Sequence, residues 1–154
     1  MIVRHLFAAL TALVLAGCAA VDVNDYRAER PVLDLAQYFN GTVDGWGMFQ
    51  DRSGRVVKRF HVRIDASWTG NTGTLDEHFE YSDGTKERRV WTLVKDGDRY
   101  TGTAGDVVGT AQGAAAGNAL HWTYVLALPV DGRTWHMDMD DWMFLVDETT
   151  LLNR

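Results

Sequence analysis

The sequence predicts an all-β fold: an up-and-down antiparallel β-barrel or a strongly curved sheet. Three observations predict it. Gly and Asp-Gly punctuation returns at short intervals from Asn40 onward, apolar and polar residues alternate between the breaks, and no long stretch holds a helical period. Sequential antiparallel strands joined by tight turns are the pattern of up-and-down barrels. A sheet of about eight such strands leaves an interior that side chains fill or that holds one small ligand.

The chain begins outside that sheet. Met1 to His5 carries Arg4, and Leu6 to Ala16 is an apolar run too short to span a bilayer but long enough for a signal-peptide core. Leu15-Ala16-Gly17-Cys18 follows and resembles the lipobox of bacterial lipoproteins. The resemblance implies removal of residues 1–17 and acylation of Cys18, with Ala19 in the position that permits sorting to the outer membrane. The expected division is a signal segment (1–17), a lipidated amino terminus and tether (18–31), and one β domain (32–154).

Charge bounds the partners. Loss of Arg4 leaves 14 Lys and Arg against 21 Asp and Glu, a balance of −7. An acidic exterior disfavours nucleic acid, whose affinity comes from neutralised phosphates, and disfavours a grip on anionic headgroups. Membrane contact is therefore expected from acyl chains on Cys18, each buried methylene contributing about 0.8 kcal/mol. Cys18 is the only cysteine, so the domain has no disulfide framework.

Within the domain, Leu33 to Phe39 suits one helical turn before Asn40-Gly41. Gly41 to Gln50 reads as a first strand, closed by Asp51-Arg52-Ser53-Gly54. In the second strand Phe60, Val62, Ile64, Ala66 and Trp68 share one face and Arg59, His61, Arg63 and Asp65 the other. Thr69 to Gly73 turns the chain into strands at 74–81 and 85–94. A three-residue loop with Gly84 left-handed sets Glu80 opposite Lys86, Glu77 opposite Arg89 and Leu75 opposite Trp91. A two-residue loop would oppose Glu80 and Glu87, so the longer loop is expected.

A short strand at Arg99–Thr103 follows. Residues 101–120 hold five Gly and six Ala, too polar in places to enter a bilayer, and read as Gly/Ala-rich strands that relax curvature or leave internal space. A helix is the alternative there. Leu120, Trp122, Tyr124, Leu126 and Leu128 then share a face, as do Trp135, Met137, Met139, Asp141, Met143 and Leu145.

Phe39-x-Gly41 with Gly45-Trp46 is loosely similar to the opening of lipocalins, although their usual Gly-x-Trp spacing is not kept. The fuller resemblance is to an uncharacterised bacterial lipoprotein family, domain of unknown function 3833. It rests on Leu33-Asp34-Leu35, Tyr38-Phe39-Asn40-Gly41, Trp46-Gly47-Met48, Asp51-Arg52-Ser53-Gly54 and Leu75-Asp76-Glu77. Arg89-Val90-Trp91, Tyr100 to Val107, Asp140-Asp141-Trp142-Met143 and Asn153-Arg154 extend it. The resemblance implies a lipid-anchored envelope protein and brings no catalytic or binding residues with it. Members continue past the Asn-Arg pair with strand-like sequence, so incomplete closure at the carboxyl end is an alternative to a closed barrel.

Catalytic signals are sparse. Alternation turns His61, His78, His121 and His136 away from the apolar faces, against a zinc site or a His-based triad. Asp138, Asp140, Asp141, Asp147 and Glu148 lack calcium-loop spacing and read as solvated carboxylates. No metal, cofactor or enzymatic activity is expected. The expected role is binding or chaperoning a fatty acid or other hydrophobic small molecule, lined by Trp46, Phe60, Trp68, Glu77, Phe79, Arg89, Trp91, Trp122, Tyr124 and Met137. The alternatives are an assembly lipoprotein acting through its surface on an unidentified envelope partner, and an accessory enzyme of lipid modification.

Overall fold

The computed structural model describes residues 20–154; the expected signal segment and Cys18 lie outside them. The fold is all-β. Nine strands form one sheet in which each is antiparallel to the one before it. They are β1 (Gly41–Gln50), β2 (Val56–Thr69), β3 (Thr72–Tyr81), β4 (Lys86–Asp96), β5 (Arg99–Thr103), β6 (Val107–Ala116), β7 (Ala119–Val130), β8 (Arg133–Leu145) and β9 (Leu151–Asn153). The sheet curls into a half-barrel. Among the described residues β1 pairs only with β2 and β9 only with β8, so the curved sheet, not a closed barrel, is the form adopted.

Alternation assigns the faces. Val62, Ile64, Ala66, Leu75, Trp91, Leu93, Tyr100, Ala111, Ala115, Leu120, Trp122 and Leu145 are buried on the inner face. Leu33, Leu35 and Phe39 plug one end of the trough from α1 (Leu35–Tyr38) and its flanks. Asp34 caps α1 by accepting from the Ala36 amide, which satisfies an orphan donor of the first turn. The same carboxylate takes Lys95 Nζ at 2.6 Å and the Tyr100 hydroxyl at 3.2 Å. Burial pushes Asp34 up, but Lys95, the Ala36 amide and Tyr100 together hold it below the usual carboxylate range. The Trp68 indole, at the end of β2, donates to Phe39 O at 2.9 Å.

The β3–β4 register is the expected one, with Glu77 opposite Arg89, Leu75 opposite Trp91 and Gly84 at φ +84°. The Gly/Ala-rich stretch forms strands β5 and β6. Its small residues make room: a Cβ at Gly113 would stand 2.4 Å from the Trp122 ring and one at Gly102 2.8 Å from it. Strand β3 begins at Thr72, earlier than position 74: Gly73 pairs with Trp68, whose ring occupies the space where a Gly73 side chain would sit.

Part of the stretch expected as a tether is seated on the outer face. Asp22 closes a capping box over a 3-10 turn at Val23–Tyr26. Val23 packs with Ala116, Ala119 and Trp142, and Tyr26 meets Trp142 and Phe144 edge-on. Gly117 has φ +56°, and a Cβ there would fall 1.7 Å from Tyr26 O. Its carbonyl accepts from the Leu33 amide at 2.8 Å.

Candidate functional site

At the end of the trough opposite α1, the inner face turns polar. Arg89 and Glu77 face each other across β3 and β4, but their closest approach is 3.8 Å. The guanidinium instead grips Asp106, with Nε at 2.9 and 3.0 Å and Nη2 at 2.7 Å from its carboxylate. That bidentate geometry uses the strongest donor pair arginine has. Asp106 comes from the short β5–β6 turn, closed by the Val107 amide on Ala104 O, and its carboxylate meets Arg89 from there.

Glu77 is left nearly buried, its side chain 13% exposed, without a short ionic contact. Burial drives its carboxyl up to about 7; Arg89 pulls the other way and Asp106 adds to the rise. Asp141, opposite Trp122 on β8, is also raised by burial, with the Tyr124 hydroxyl as its hydrogen-bond partner. Burial and then Asp141 raise Tyr124 in turn. Three carboxyl groups thus converge with one guanidinium.

Aromatic side chains frame the cluster. Trp91 forms the floor, meeting Trp122 edge-on at 5.7 Å and Tyr124 at 5.4 Å. Phe60, Phe79 and Tyr81 make one wall, with Phe49 beyond them. Across the trough the inner positions of β8 are Met139, Met137 and Trp135. Phe49, Met137 and Trp135 remain 50%, 45% and 56% exposed, so the inner face is not filled at this end. Two shallow surface hollows lie elsewhere: one about the β3–β4 hairpin at His78 to Arg88, the other on the outer face beside His121.

Residues 12–154 match the family model described as "Protein of unknown function (DUF3833)". The chain belongs to that family. No curated protein and no solved structure matches it.

In this DUF3833 chain the expected lining residues divide. Phe60, Phe79, Glu77, Arg89, Tyr124 and Met137 surround the open cluster. Trp91 and Trp122 are its buried floor, and Trp68 belongs to the plugged end. Trp46 is a correction: it lies on the outer face, 77% exposed, against the His61 ring. The inner face of β1 carries Gly45 and Gly47, and Phe60 of β2 occupies the space where a Gly47 side chain would sit.

Asp141 is a second correction, since it is drawn inside with Tyr124 and not solvated like Asp140. Asp106 was not among the expected residues. His61, His78, His121 and His136 take outer positions, where His61 meets Asp44 and His121 meets Asp140, each at 2.7 Å.

Proposed function

We propose that this protein binds an elongated amphiphile in the open half of the trough. The observation that carries the reading is the unfilled inner face, where partly exposed aromatic and methionine side chains ring a recessed polar cluster. Ligand sites are concave, largely apolar and supplied with a few converging polar groups. The apolar chain would lie along Phe60, Phe79, Met137 and Met139, and the head would sit at Glu77, Asp106 and Asp141.

Charge selects the head. Asp106 already holds the fork of Arg89, and Lys58 over the Tyr81 ring is paired with Asp83, so a fatty-acid carboxylate would meet like charge. An amine or other donor-rich head complements three carboxyl groups. Trp91 and Trp122 lie close enough to report binding by fluorescence. Dodecylamine is expected to bind at least about tenfold more tightly than dodecanoate, about 1.4 kcal/mol. Equal affinities would remove the head-group assignment, and no response to either would remove the binding site.

Glu77 favours a second reading. A recessed carboxyl titrating near 7 beside two others is the profile of a proton-transfer group. Recovery of the bound amphiphile with an altered mass would favour that reading over simple carriage.

We also infer that Cys18 is acylated and holds the domain at the outer membrane, on the lipobox resemblance of Leu15 to Cys18. Incorporation of labelled palmitate is expected in the wild type and absent in Cys18→Ala. Label retained in that variant would dismiss the anchor.

A further inference from the structure

Net acidity conceals one strongly basic element. Between Trp46 and Arg59, the tip-ward part of the β1–β2 hairpin, stand Arg52, Arg55, Lys58 and Arg59 against the single acid Asp51, in a chain of net charge −6. The same segment exposes Trp46 (77%), Met48 (59%), Val57 (58%), Phe49 (50%) and Val56 (41%). Large apolar side chains and cations are therefore concentrated on one protruding hairpin.

Its turn is built to hold that shape. Asp51 accepts from the Ser53 and Arg55 amides, the Asp51 amide donates to Arg55 O at 2.9 Å, and Gly54 takes φ +85°. Arg55 folds back on Asp51, and Lys58 pairs with Asp83 at 3.0 Å over the Tyr81 ring. Among the described residues Arg52 and Arg59 make no ion pair. The antiparallel order puts this turn at the same end of the sheet as the β7–β8 turn, where Leu128, Val130 and Trp135 are also exposed.

We propose that the β1–β2 hairpin docks on an anionic lipid surface. Its indole, phenyl and thioether groups would enter the interfacial zone while the arginines meet headgroup phosphates. Aromatic residues favour that interface, long cationic side chains keep their charge at the headgroups while burying their stems, and basic clusters gather anionic lipid. Charge complementarity selects this occupant: the free cations lie beside the apolar residues, on a tip too narrow to offer a flat protein interface. Trp46, Met48 and Arg59 face away from the inner cluster, which this surface meets at Phe49 and Lys58, so the docking reading stands without that cluster.

The test uses the chain from position 18, the form left after the expected removal of residues 1–17, carrying Cys18→Ser so that neither acyl chains nor the apolar run at Leu6 to Ala16 contribute. A nitroxide is placed on Ser53→Cys or, at the opposite end of the sheet, on Asn71→Cys. On vesicles containing phosphatidylglycerol the label at 53 is expected to gain oxygen accessibility and lose contact with an aqueous nickel chelate, while the label at 71 stays in water. On pure phosphatidylcholine neither should move. Arg52→Gln with Arg59→Gln is expected to weaken partitioning about tenfold. Quenching of Trp46 by brominated phosphatidylglycerol, measured against Trp46→Phe, reads the same contact without altering the turn. A label at 53 as wet as that at 71, equal behaviour on both lipids, or unquenched Trp46 would overturn the proposal.

Discussion

Truncating Trp122 to alanine is expected to cost about 3–5 kcal/mol of stability, the range for removing a large aromatic from a core that cannot collapse around the gap. Trp122 is 5% exposed and stands edge-on to Trp91. The positions directly beneath its ring, Gly102 on β5 and Gly113 on β6, have no side chains with which to fill a void. Urea unfolding would show the loss as a lower midpoint at unchanged slope. Gly113→Val approaches the same contact from the other side. Its Cβ would start 2.4 Å from the ring, and overpacking of this kind costs about 1–3 kcal/mol. A Trp122→Ala loss below about 1 kcal/mol would mean that β5 and β6 close over the gap, against the packing described here.

Glu77→Gln is expected to stabilise the protein, and increasingly so as pH rises. The folded carboxyl is raised to about 7 from an ordinary 4.5, so between those values the folded state holds a proton that the unfolded chain has lost. Stability contributed by that proton is full below pH 4.5 and fades as pH climbs through 7. At about 1.4 kcal/mol per unit, the ionised group costs the wild type up to about 3 kcal/mol above that window. Glutamine carries no such cost. The variant should match the wild type at acid pH and exceed it by about 1–3 kcal/mol at pH 8, measured by urea midpoints across the range. A constant offset, or a variant weaker at pH 8, would show that Arg89 stabilises the Glu77 carboxylate more than burial opposes it.

The sequence made the strand ladder readable wherever both faces carry side chains. Register between β3 and β4 followed from keeping Glu80 away from Glu87, a constraint local enough to see in the chain. Trp46 escaped for the opposite reason. At its centre β1 presents Gly45 and Gly47 inward, so Trp46 and Met48 mark the outer face, and the Phe60 ring lying over Gly47 discloses the inversion. Asp106 carried no periodic signal because it lies in a connection, 17 residues from the arginine it grips. Alternation placed Asp141 on the face of Met139 and Met143, but its acidic run made the carboxylate read as solvated. The hairpin's basic character vanished into an overall negative balance and became visible only when charge was read together with exposure along one element.

The outer-face seat of Val23 to Tyr26 governs how the domain bears mechanical load. A pull on the chain upstream is taken first by the packing at Trp142 and the amide link at Gly117, both behind the sheet. Tension is thereby grounded in β6 to β8 before it can strain the Arg89–Asp106 clasp. Load entering at Val23 is carried behind the trough, on the face away from its polar cluster.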